Sequence, residues 1–545
     1  MVWIRRVRTT SGGTAVQVVE SVGGRRRIVT HVGTAHDEAG LGLLVERARQ
    51  IMAGESQDEL DLAGRSPVTR AGLLAPAPGR VLFPESAPVR RRELVAAPQV
   101  LSTCSDLLFR LVAGVYDDLG FVGLGDGVFR DLVVARVVEP ASLLDVDRVL
   151  GELGQPGASL SGRKRALKRC LAGDYRGQLA GWCFAHAGSA GDLSLVLYDV
   201  TTLRTQAAKE DEFRKVGYSK DRSVDPQVVV GLLVDRGGFP LEVACFDGKQ
   251  AETDTIVPMI EQFTKRHGIT DVVIVADAGM LSKKNLTALD EAGYRFIVGS
   301  RMVKAPIDLA SHFRWHGDAF SDGQIIDTLT PKRGRNRDNN PALKAEPVWG
   351  PKTHPGSGRA VWEYSQKRYA HDIVTLTAQE NRARAAVDGD KPARRPRFVK
   401  ASDIGYTLDE ASIARARKLA GLKGYVTNMP ASLVPALELI GRYHDLWHVE
   451  QSFRMSKSDL GARPLFARRR DAIEAHLTIT FAALAVARTI QHRTGRSIRY
   501  VIRALRPLRS AVITSNSVTQ TIPPAISPDQ QAIIDAVKTR QAKRH

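Results

Sequence analysis

The sequence predicts an α/β protein built on a mixed five-stranded sheet, with a helical segment before the sheet in the chain. Three observations lead to this fold class. β-branched apolar runs recur between about residues 193 and 300 and alternate with segments of helical periodicity. The turn Arg236-Gly237-Gly238-Phe239 separates two of these runs, as in a β-hairpin. Residues 102–185, by contrast, carry their apolar residues at helical spacing only.

The composition indicates a large folded protein with a polyanionic partner. The chain has 545 residues, 43% of them hydrophobic, and a formal net charge of +19, which favours nucleic acid as the partner. Its four cysteines form no C-x-x-C pair, which argues against a zinc ribbon and a disulfide framework. Neither a signal-peptide pattern nor an apolar run of spanning length is recognised, so we expect a cytoplasmic, nucleoid-associated protein without a membrane segment.

Three segments precede the sheet. Residues 1–52 combine short β-like runs with a helical stretch and are expected to form a small β-plus-helix unit. Residues 53–100 are rich in proline and are expected to be a linker. Residues 101–185 are expected to form a helical DNA-binding domain. Its last helix carries five basic residues within about two turns, enough to grip phosphates: Arg163, Lys164, Arg165, Lys168 and Arg169. A solvated basic face without a ligand is an equally good interpretation.

Residues 186–300 are predicted to form the first part of the sheet. Three strands come first, then a helix, a strand, a second helix and a fifth strand. The order β-β-β-α-β-α-β is that of a ribonuclease H-like sheet with strand order 3-2-1-4-5, in which strands 1 and 4 are parallel neighbours. Strand 1 is predicted to end at Asp199 and strand 4 just before Asp277.

A basic insertion is expected at 301–430, followed by the last core helices at 431–495 and a basic C-terminal tail at 496–545. Between residues 331 and 400 there are 16 Lys and Arg against 7 Asp and Glu. The insertion is expected to be mostly β. Trp349 and Trp362 either stack on exposed bases or fill a small β core, and the second interpretation is favoured.

Two aspartates at corresponding strand ends suggest a metal site. If strands 1 and 4 pair in parallel, Asp199 and Asp277 emerge side by side at the carboxyl edge of the sheet, where open α/β sheets bind ligands. The two charges repel each other unless a divalent cation lies between them. Either aspartate alone is better explained by a turn or cap role. Glu450, on a predicted helix, is the candidate for a third acid.

The helix that carries Glu450 resembles a known family. Tyr443-x2-Leu446-x3-Glu450-x6-Lys457 is similar to the Y-x2-R-x3-E-x6-K signature of DDE transposases of bacterial insertion sequences. Residues 217–221, 276–280 and 447–454 also resemble local patterns in one branch of that family. The likeness spans about 193–488 and implies a ribonuclease H-like core interrupted before the last acid. Leu446 stands where the signature has arginine, and Arg442 or Arg454 is the candidate substitute.

The resemblance implies an activity and its partners. Asp199, Asp277 and Glu450 would hold two Mg²⁺ ions, with Mn²⁺ as a possible substitute, for cleavage of the element ends and transfer of the freed 3′-hydroxyl to target DNA. Tyr443, Lys457 and Arg454 would contact DNA phosphates near the cleaved end. Double-stranded DNA, as element ends and as target, is the implied partner, and a homodimer or higher assembly on DNA is implied as well.

Three alternatives stay open. His444-Asp445-Leu446-Trp447-His448 resembles the H-E-x-x-H zinc helix, with His476 or Glu474 as the third ligand, but a zinc peptidase leaves the +19 charge unexplained. A non-catalytic DNA-binding relative is the second alternative. A nuclease that cuts without joining is the third.

Overall fold

The computed structural model describes residues 2–8, 14–22, 25–35, 41, 44–45, 48 and 99–539, with gaps in the last range at 192, 206–209, 218–224, 270, 281, 333–338, 390–396, 403–404, 464, 466, 468 and 516–517. The chain divides into two compact units, residues 1–93 and 94–545. Nearly all of the predicted linker at 53–100 lies outside the described residues.

The first unit contains an antiparallel three-stranded sheet. Its strands are β1 (Val2–Arg8), β2 (Thr14–Val22) and β3 (Arg25–Ala35), in the order β1-β2-β3. Within β2, Val16 and Val18 are buried and pack against Val45 and Ala48. Their spacing of two residues places both side chains on the same face of the sheet. Most of the helix predicted after β3 falls on residues that are not described.

The second unit combines strands with a larger number of helices. The strands are β4 (Gln99–Cys104), β5 (Leu195–Arg204), β6 (Gln227–Asp235), β7 (Pro240–Phe246), β8 (Val273–Ala276), β9 (Arg295–Ser300), β10 (Ile325–Pro331), β11 (Ser357–Tyr364), β12 (Val399–Ser402), β13 (Gly405–Leu408), β14 (Leu422–Thr427), β15 (Ser510–Ser515) and β16 (Val518–Ile522). The α-helices are α1 (Asp106–Asp118), α2 (Gly127–Val138), α3 (Val146–Glu152), α4 (Leu160–Ala172), α5 (Tyr175–Ala190), α6 (Ile256–His267), α7 (Lys283–Glu291), α8 (Ala305–Asp308), α9 (Ala310–Trp315), α10 (Gln366–Val387), α11 (Glu410–Lys418), α12 (Ala436–His444), α13 (Trp447–Arg454), α14 (Arg470–Thr494), α15 (Ile498–Leu505) and α16 (Pro528–Lys538).

The central sheet is mixed and has eight strands in the order β10-β11-β14-β9-β8-β5-β6-β7. β8 pairs in parallel with both β5 and β9, and the other pairs are antiparallel. The five strands predicted from the sequence therefore occupy neighbouring positions in the predicted order. The prediction of a five-stranded sheet is wrong in number, because β10, β11 and β14 of the insertion extend the same sheet beyond β9.

Helices cover both faces of this sheet. Alternate residues of β5 point to opposite faces, so that Val196 packs with residues of α6 and α7 while Leu197 packs with residues of α13 and α14. Since both faces are buried, β6 is apolar along nearly its whole length. The sheet is thus the middle layer of three.

The helices before the sheet share their core with α14. Residues of α1–α5 and of α14 belong to one continuous apolar cluster that also reaches the sheet. α14 is long and apolar enough to cross a membrane, with a mean hydropathy of 1.3, but 89% of its most apolar stretch is buried inside the protein. It is therefore the central core helix of this unit.

The insertion and the C-terminal segment, expected as a basic insertion and a basic tail, both contain regular helices and strands. The insertion contains the 22-residue helix α10 besides its strands, so the expectation of a mostly β insertion missed its longest element. Trp349 and Trp362 are both buried, which fits the core-filling interpretation. In the C-terminal segment, β15 and β16 form a three-stranded sheet with β4, and α16 packs against α14.

Candidate active site

Asp199 and Asp277 follow directly on the last paired residues of two parallel strands. The β5–β8 pairing ends with Tyr198 opposite Ala276, so the next residue of each strand is one of the two aspartates. β5 itself continues to Arg204, because its pairing with β6 extends beyond the end of β8. The predicted end of the first strand at Asp199 is therefore wrong, but the two aspartates are register neighbours as predicted.

Glu450 shares a cavity with Asp199. α13 places Glu450 on the wall of a cavity of about 390 Å³, which Asp199 lines from β5. Arg454, Lys457 and Arg463 line the same cavity, and we call it the carboxylate cavity. Two acidic and three basic residues thus line one open volume.

Asp277 is held from the side by Tyr443. The hydroxyl of Tyr443 donates a hydrogen bond of 3.0 Å to Oδ1 of Asp277. Burial, the charge and hydrogen bond of Asp277, and the charge of Glu450 all raise the pKa of Tyr443, so this phenol stays protonated and is a permanent donor. The charges of Asp277 and Glu450 therefore both favour the protonated form of the Tyr443 hydroxyl.

Lys423 on β14 adds a positive charge near these acids. Its Nζ lies 4.7 Å from the centroid of the Tyr443 ring and 5.6 Å from that of Tyr425. Burial and the charge of Arg368 lower the pKa of Lys423, while neighbouring carboxylates, Asp277 and Glu450 among them, act in the opposite direction. The sequence analysis did not identify Lys423. A lysine within the otherwise buried strand β14 is the signal that points to it.

The β6–β7 hairpin anchors the helix that carries Glu450. The carbonyl of Gly238 accepts hydrogen bonds from Ser452 Oγ at 2.7 Å and from Arg488 Nε at 3.0 Å. Arg488 Nη2 also donates to the carbonyl of Gly237 at 2.8 Å. Just before α13, Asp445 forms an ion pair of 2.7 Å with Arg236 of the same hairpin. The turn between β6 and β7 thereby fixes the position of α13 relative to β5.

The remaining signature positions have distinct environments. Lys457 lies in a π-helical turn and donates a hydrogen bond to Thr201 of β5. Leu446 is buried in the core. Arg442 is paired with Glu438 at 2.7 Å. Arg454 is exposed and lines the carboxylate cavity, so of the two candidate substitutes for the missing arginine it is the one at the site.

The basic helix α4 divides into inward and outward residues. Arg163 is buried and bonds to the carbonyl of Leu143 and to Asp147, because its position on α4 faces the core. Arg169 is paired with Asp126 at 2.7 Å. The other three basic residues of this group are exposed: Lys164, Arg165 and Lys168. These three side chains are the ones placed to meet phosphates.

The H-E-x-x-H-like segment does not lie on one continuous helix. α12 ends at His444 and α13 begins at Trp447, so the one-turn spacing that would align His444 with His448 is interrupted. Asp445, at the position of the general base, is paired with Arg236. The arrangement gives no support to the zinc alternative.

The three carboxylates at the edge of the sheet are suitable ligands for a hard cation, although their side chains are not grouped together in the structure. Carboxylate oxygens are the ligands that Mg²⁺ prefers, and Asp199, Asp277 and Glu450 supply only such groups. Among the described residues, no three or more His, Cys, Asp or Glu side chains are grouped closely enough to hold a metal ion. Asp277 is turned toward Tyr443, while Asp199 and Glu450 face the carboxylate cavity.

Comparison with known proteins gives a family match and similar solved structures. The family described as Transposase DDE domain matches residues 190–486. No curated protein matches the chain. Among solved structures, the chain is similar to a piggyBac transposase in a synaptic complex with hairpin DNA, at 11% identity and a TM-score of 0.36, over 82% of this chain and 85% of that one.

Proposed function

The chain belongs to the transposase DDE domain family, and on that premise we propose that it cuts the ends of an insertion sequence and joins the freed 3′-hydroxyl to target DNA. The observation that carries the proposal is the register of β5 and β8. It sets Asp199 and Asp277 side by side, and Glu450 lines the same cavity as Asp199. The order and directions of strands β5–β9 support a ribonuclease H-like core.

The three acids are the residues that would hold divalent metal. Two Mg²⁺ ions held by Asp199, Asp277 and Glu450 would activate the attacking oxygen and stabilise the leaving 3′ oxygen. Mn²⁺, which also accepts carboxylate ligands, is the expected substitute. Tyr443 restricts the orientation of Asp277, and the β6–β7 hairpin does the same for Glu450 through α13.

The basic side chains of the carboxylate cavity would hold the DNA strand. Lys457 is fixed by its bond to Thr201 and acts as a point charge toward a phosphate. Arg454 is exposed on the same wall and offers a planar guanidinium for a bidentate contact. Lys164, Arg165 and Lys168 of α4 would bind double-stranded DNA away from the cut. Two protein copies would bring the two element ends together.

Cleavage of the element's own ends tests this proposal. The full-length protein is incubated with Mg²⁺ and DNA that carries its flanking repeats, and the nicks are mapped. Glu450→Gln and Asp277→Asn, which remove a charge at constant size, are expected to abolish nicking and to leave DNA binding intact. Glu438→Gln is the matched control, since Glu438 lies on the neighbouring helix and pairs only with Arg442 among the described residues.

Three results would contradict this proposal or favour another function. Mg²⁺-dependent nicking that persists in Asp277→Asn contradicts the assignment of the acids. Nicking without transfer of a precut 3′ end identifies a nuclease. Binding without nicking by the unmodified chain identifies a non-catalytic DNA-binding relative.

A further inference from the structure

A run of arginines follows the central core helix α14. No Asp or Glu occurs in the chain between Glu474 and Asp529. Within this stretch, residues 495–509 carry five arginines spaced three or four residues apart, as on one face of a helix: Arg496, Arg499, Arg503, Arg506 and Arg509. Positive charge is therefore concentrated on α15 and its two flanks, a segment expected from the sequence only to be part of a basic tail.

α15 packs its apolar side on the protein and leaves its basic side in solvent. Ile498, Val501 and Leu505 are buried, at the spacing of one helix face. Arg499 and Arg503 are exposed. Because the apolar face is already covered by protein, α15 cannot insert into a lipid surface through that face. Its exposed basic face is the part that can meet a partner.

Two of the five arginines have structural partners. Arg506 forms ion pairs with Glu139 and Glu152, the second at 2.6 Å. Arg509 donates a hydrogen bond of 2.8 Å to the carbonyl of Thr103. These contacts attach the segment after α15 to residues that precede the sheet, so the basic face of α15 has a fixed place on the protein.

Arg496 and Arg503 have an aromatic ring as their partner instead of a carboxylate. Their guanidinium carbons lie 5.3 Å and 5.9 Å from the centroid of the Tyr500 ring, and Tyr500 is 38% exposed. Among the described residues, neither arginine side chain forms an ion pair. Two cations held at one accessible ring, without an acid that neutralises either of them in that part of the chain, favour an anion as the missing partner.

The chemistry of these two side chains favours phosphate as the anion. A guanidinium group presents a planar fork of donors that matches two phosphate oxygens. Contact with the ring of Tyr500 restricts the motion of both guanidinium groups before a ligand arrives. Less conformational entropy is then lost on binding, so the ring prepares the two arginines for a ligand.

Arg499 connects this face to the carboxylate cavity. It forms an ion pair with Asp459, and its Nη2 donates a hydrogen bond of 3.1 Å to the carbonyl of Ser458. Ser458 lines the carboxylate cavity together with Lys457 and Arg463. Basic side chains therefore continue from the wall of the cavity to α15.

We propose that Arg496 and Arg503, held at the ring of Tyr500, bind backbone phosphates of the DNA duplex that extends away from the carboxylate cavity. This inference rests on the proposed transposase function, which identifies DNA as the partner. Arg499 is already neutralised by Asp459, so it joins α15 to the cavity wall and is not a phosphate ligand. Phosphate contacts position a duplex without reading its sequence, so this face would hold end DNA and unrelated DNA equally.

The salt dependence of DNA binding tests the proposal. Binding of the full-length protein to duplexes of end sequence and of unrelated sequence is measured without Mg²⁺ over a series of KCl concentrations. Each lost phosphate contact reduces the magnitude of the slope of log K against log [salt] by about 1. We expect this reduction in Arg496→Gln and in Arg503→Gln with both duplexes. Arg503→Lys keeps the charge and should keep the slope of the unmodified chain.

Matched variants separate the ring of Tyr500 and the lost charge. Tyr500→Leu leaves every charge in place but removes the ring that orders the two guanidinium groups, so affinity should fall about threefold to tenfold at an unchanged slope. Tyr500→Phe keeps the ring and should bind like the unmodified chain. Arg417→Gln is the control for lost charge, since Arg417 of α11 is already paired with Glu380 at 2.8 Å. Its slope should equal that of the unmodified chain.

Defined outcomes would overturn the proposal. Unchanged slopes in both Arg496→Gln and Arg503→Gln exclude phosphate contacts at α15, and an equal change in Arg417→Gln reduces the effect to general charge. Unchanged DNA slopes, together with binding to phosphatidylglycerol vesicles that is lost in Arg503→Gln, identify an anionic lipid surface as the partner instead. Because binding is measured without Mg²⁺, persistent nicking in Asp277→Asn would reject the catalytic assignment while the slopes still report on α15.

Discussion

The hydroxyl of Tyr443 donates a 3.0 Å hydrogen bond to Oδ1 of Asp277, and the Tyr443 ring is itself held. It is buried and meets the ring of Tyr425 edge-on, with 4.8 Å between centroids. Tyr425 donates a hydrogen bond to Glu363. The packed pair Tyr443 and Tyr425 therefore restricts the orientation of Asp277, a proposed metal ligand. Partners that orient a metal ligand in this way tune metal affinity and activity.

Tyr443→Phe is expected to weaken metal use without loss of the fold. The substitution keeps the buried ring and removes only the donor to Asp277. Loss of a partner that orients a metal ligand costs about 10–100-fold in metal affinity or activity, so half-maximal nicking should require at least about tenfold more Mg²⁺. The measurement is nicking rate against Mg²⁺ concentration. Tyr294→Phe is the control, since that hydroxyl bonds to Thr264. An unchanged Mg²⁺ dependence in Tyr443→Phe would refute the orienting role.

Much of the sheet could be predicted because buried strands have a simple sequence pattern. β5, β6 and β8 are covered on both faces, so they are continuous apolar runs. The acids Asp199 and Asp277 stand out because each interrupts or ends such a run. The exact end of β5 could not be predicted, because it depends on pairing with β6 after β8 has ended.

The insertion could not be predicted in the same way. β10, β11 and β14 join the sheet through antiparallel pairings with distant residues, and no local pattern fixes such contacts. α10 has only four buried residues in its 22, so its apolar periodicity is weak. Lys423 reaches the ring of Tyr443 only because β14 pairs with β9, which is why its place at the site could not be predicted from local sequence.

Gly238→Ala is expected to destabilise the protein far more than a comparable substitution elsewhere. Gly238 has a φ of +83°, and an added Cβ would collide with Arg488 Nη2 and lie 3.0 Å from the carbonyl of His448. Gly268 has a similar φ of +65° but nothing within 4 Å. A non-glycine residue at positive φ costs about 1–3 kcal/mol, so Gly268→Ala reports the backbone strain alone.

The difference between the two glycine variants measures the collision. Overpacking adds about 1–3 kcal/mol, and this extra loss should appear only in Gly238→Ala. Denaturant unfolding gives both free energies. Because the added Cβ also crowds the His448 carbonyl of α13, nicking should fall in Gly238→Ala and persist in Gly268→Ala. Equal unfolding free energies would show that the hairpin can move away from α13 freely.

Ser452→Ala is expected to loosen the helix that carries Glu450. It removes the 2.7 Å hydrogen bond to the carbonyl of Gly238, which then keeps only the bond from Arg488. A buried hydrogen bond contributes about 0.5–1.5 kcal/mol, so the free energy of unfolding should fall by that amount. Thr489→Val is the control, because the Thr489 hydroxyl bonds within its own helix to Ala485. A fall in nicking rate with Thr489→Val as large as that with Ser452→Ala would contradict a specific link to Glu450.

Acid is expected to destabilise the protein partly through His476 of α14. Nδ1 of His476 accepts a hydrogen bond of 3.5 Å from Arg136, so the ring must be neutral there. Burial and the charge of Arg136 lower the pKa of His476 from its ordinary value of 6.5 to about 3. Between these two pH values, His476 therefore binds a proton in the unfolded chain but not in the folded chain. Stability from this group is complete above pH 6.5 and is lost as the pH falls toward 3.

Comparison of the unmodified protein with His476→Gln isolates this effect. Glutamine does not titrate, so the variant lacks this contribution to acid sensitivity. Between about pH 7.5 and pH 5 the unmodified chain should lose about 2 kcal/mol more of its unfolding free energy than the variant, at about 1.36 kcal/mol per pH unit below the unfolded pKa. Denaturant unfolding at the two pH values checks this. Equal losses would mean that His476 is protonated in the folded protein, with Arg136 moved away from its ring.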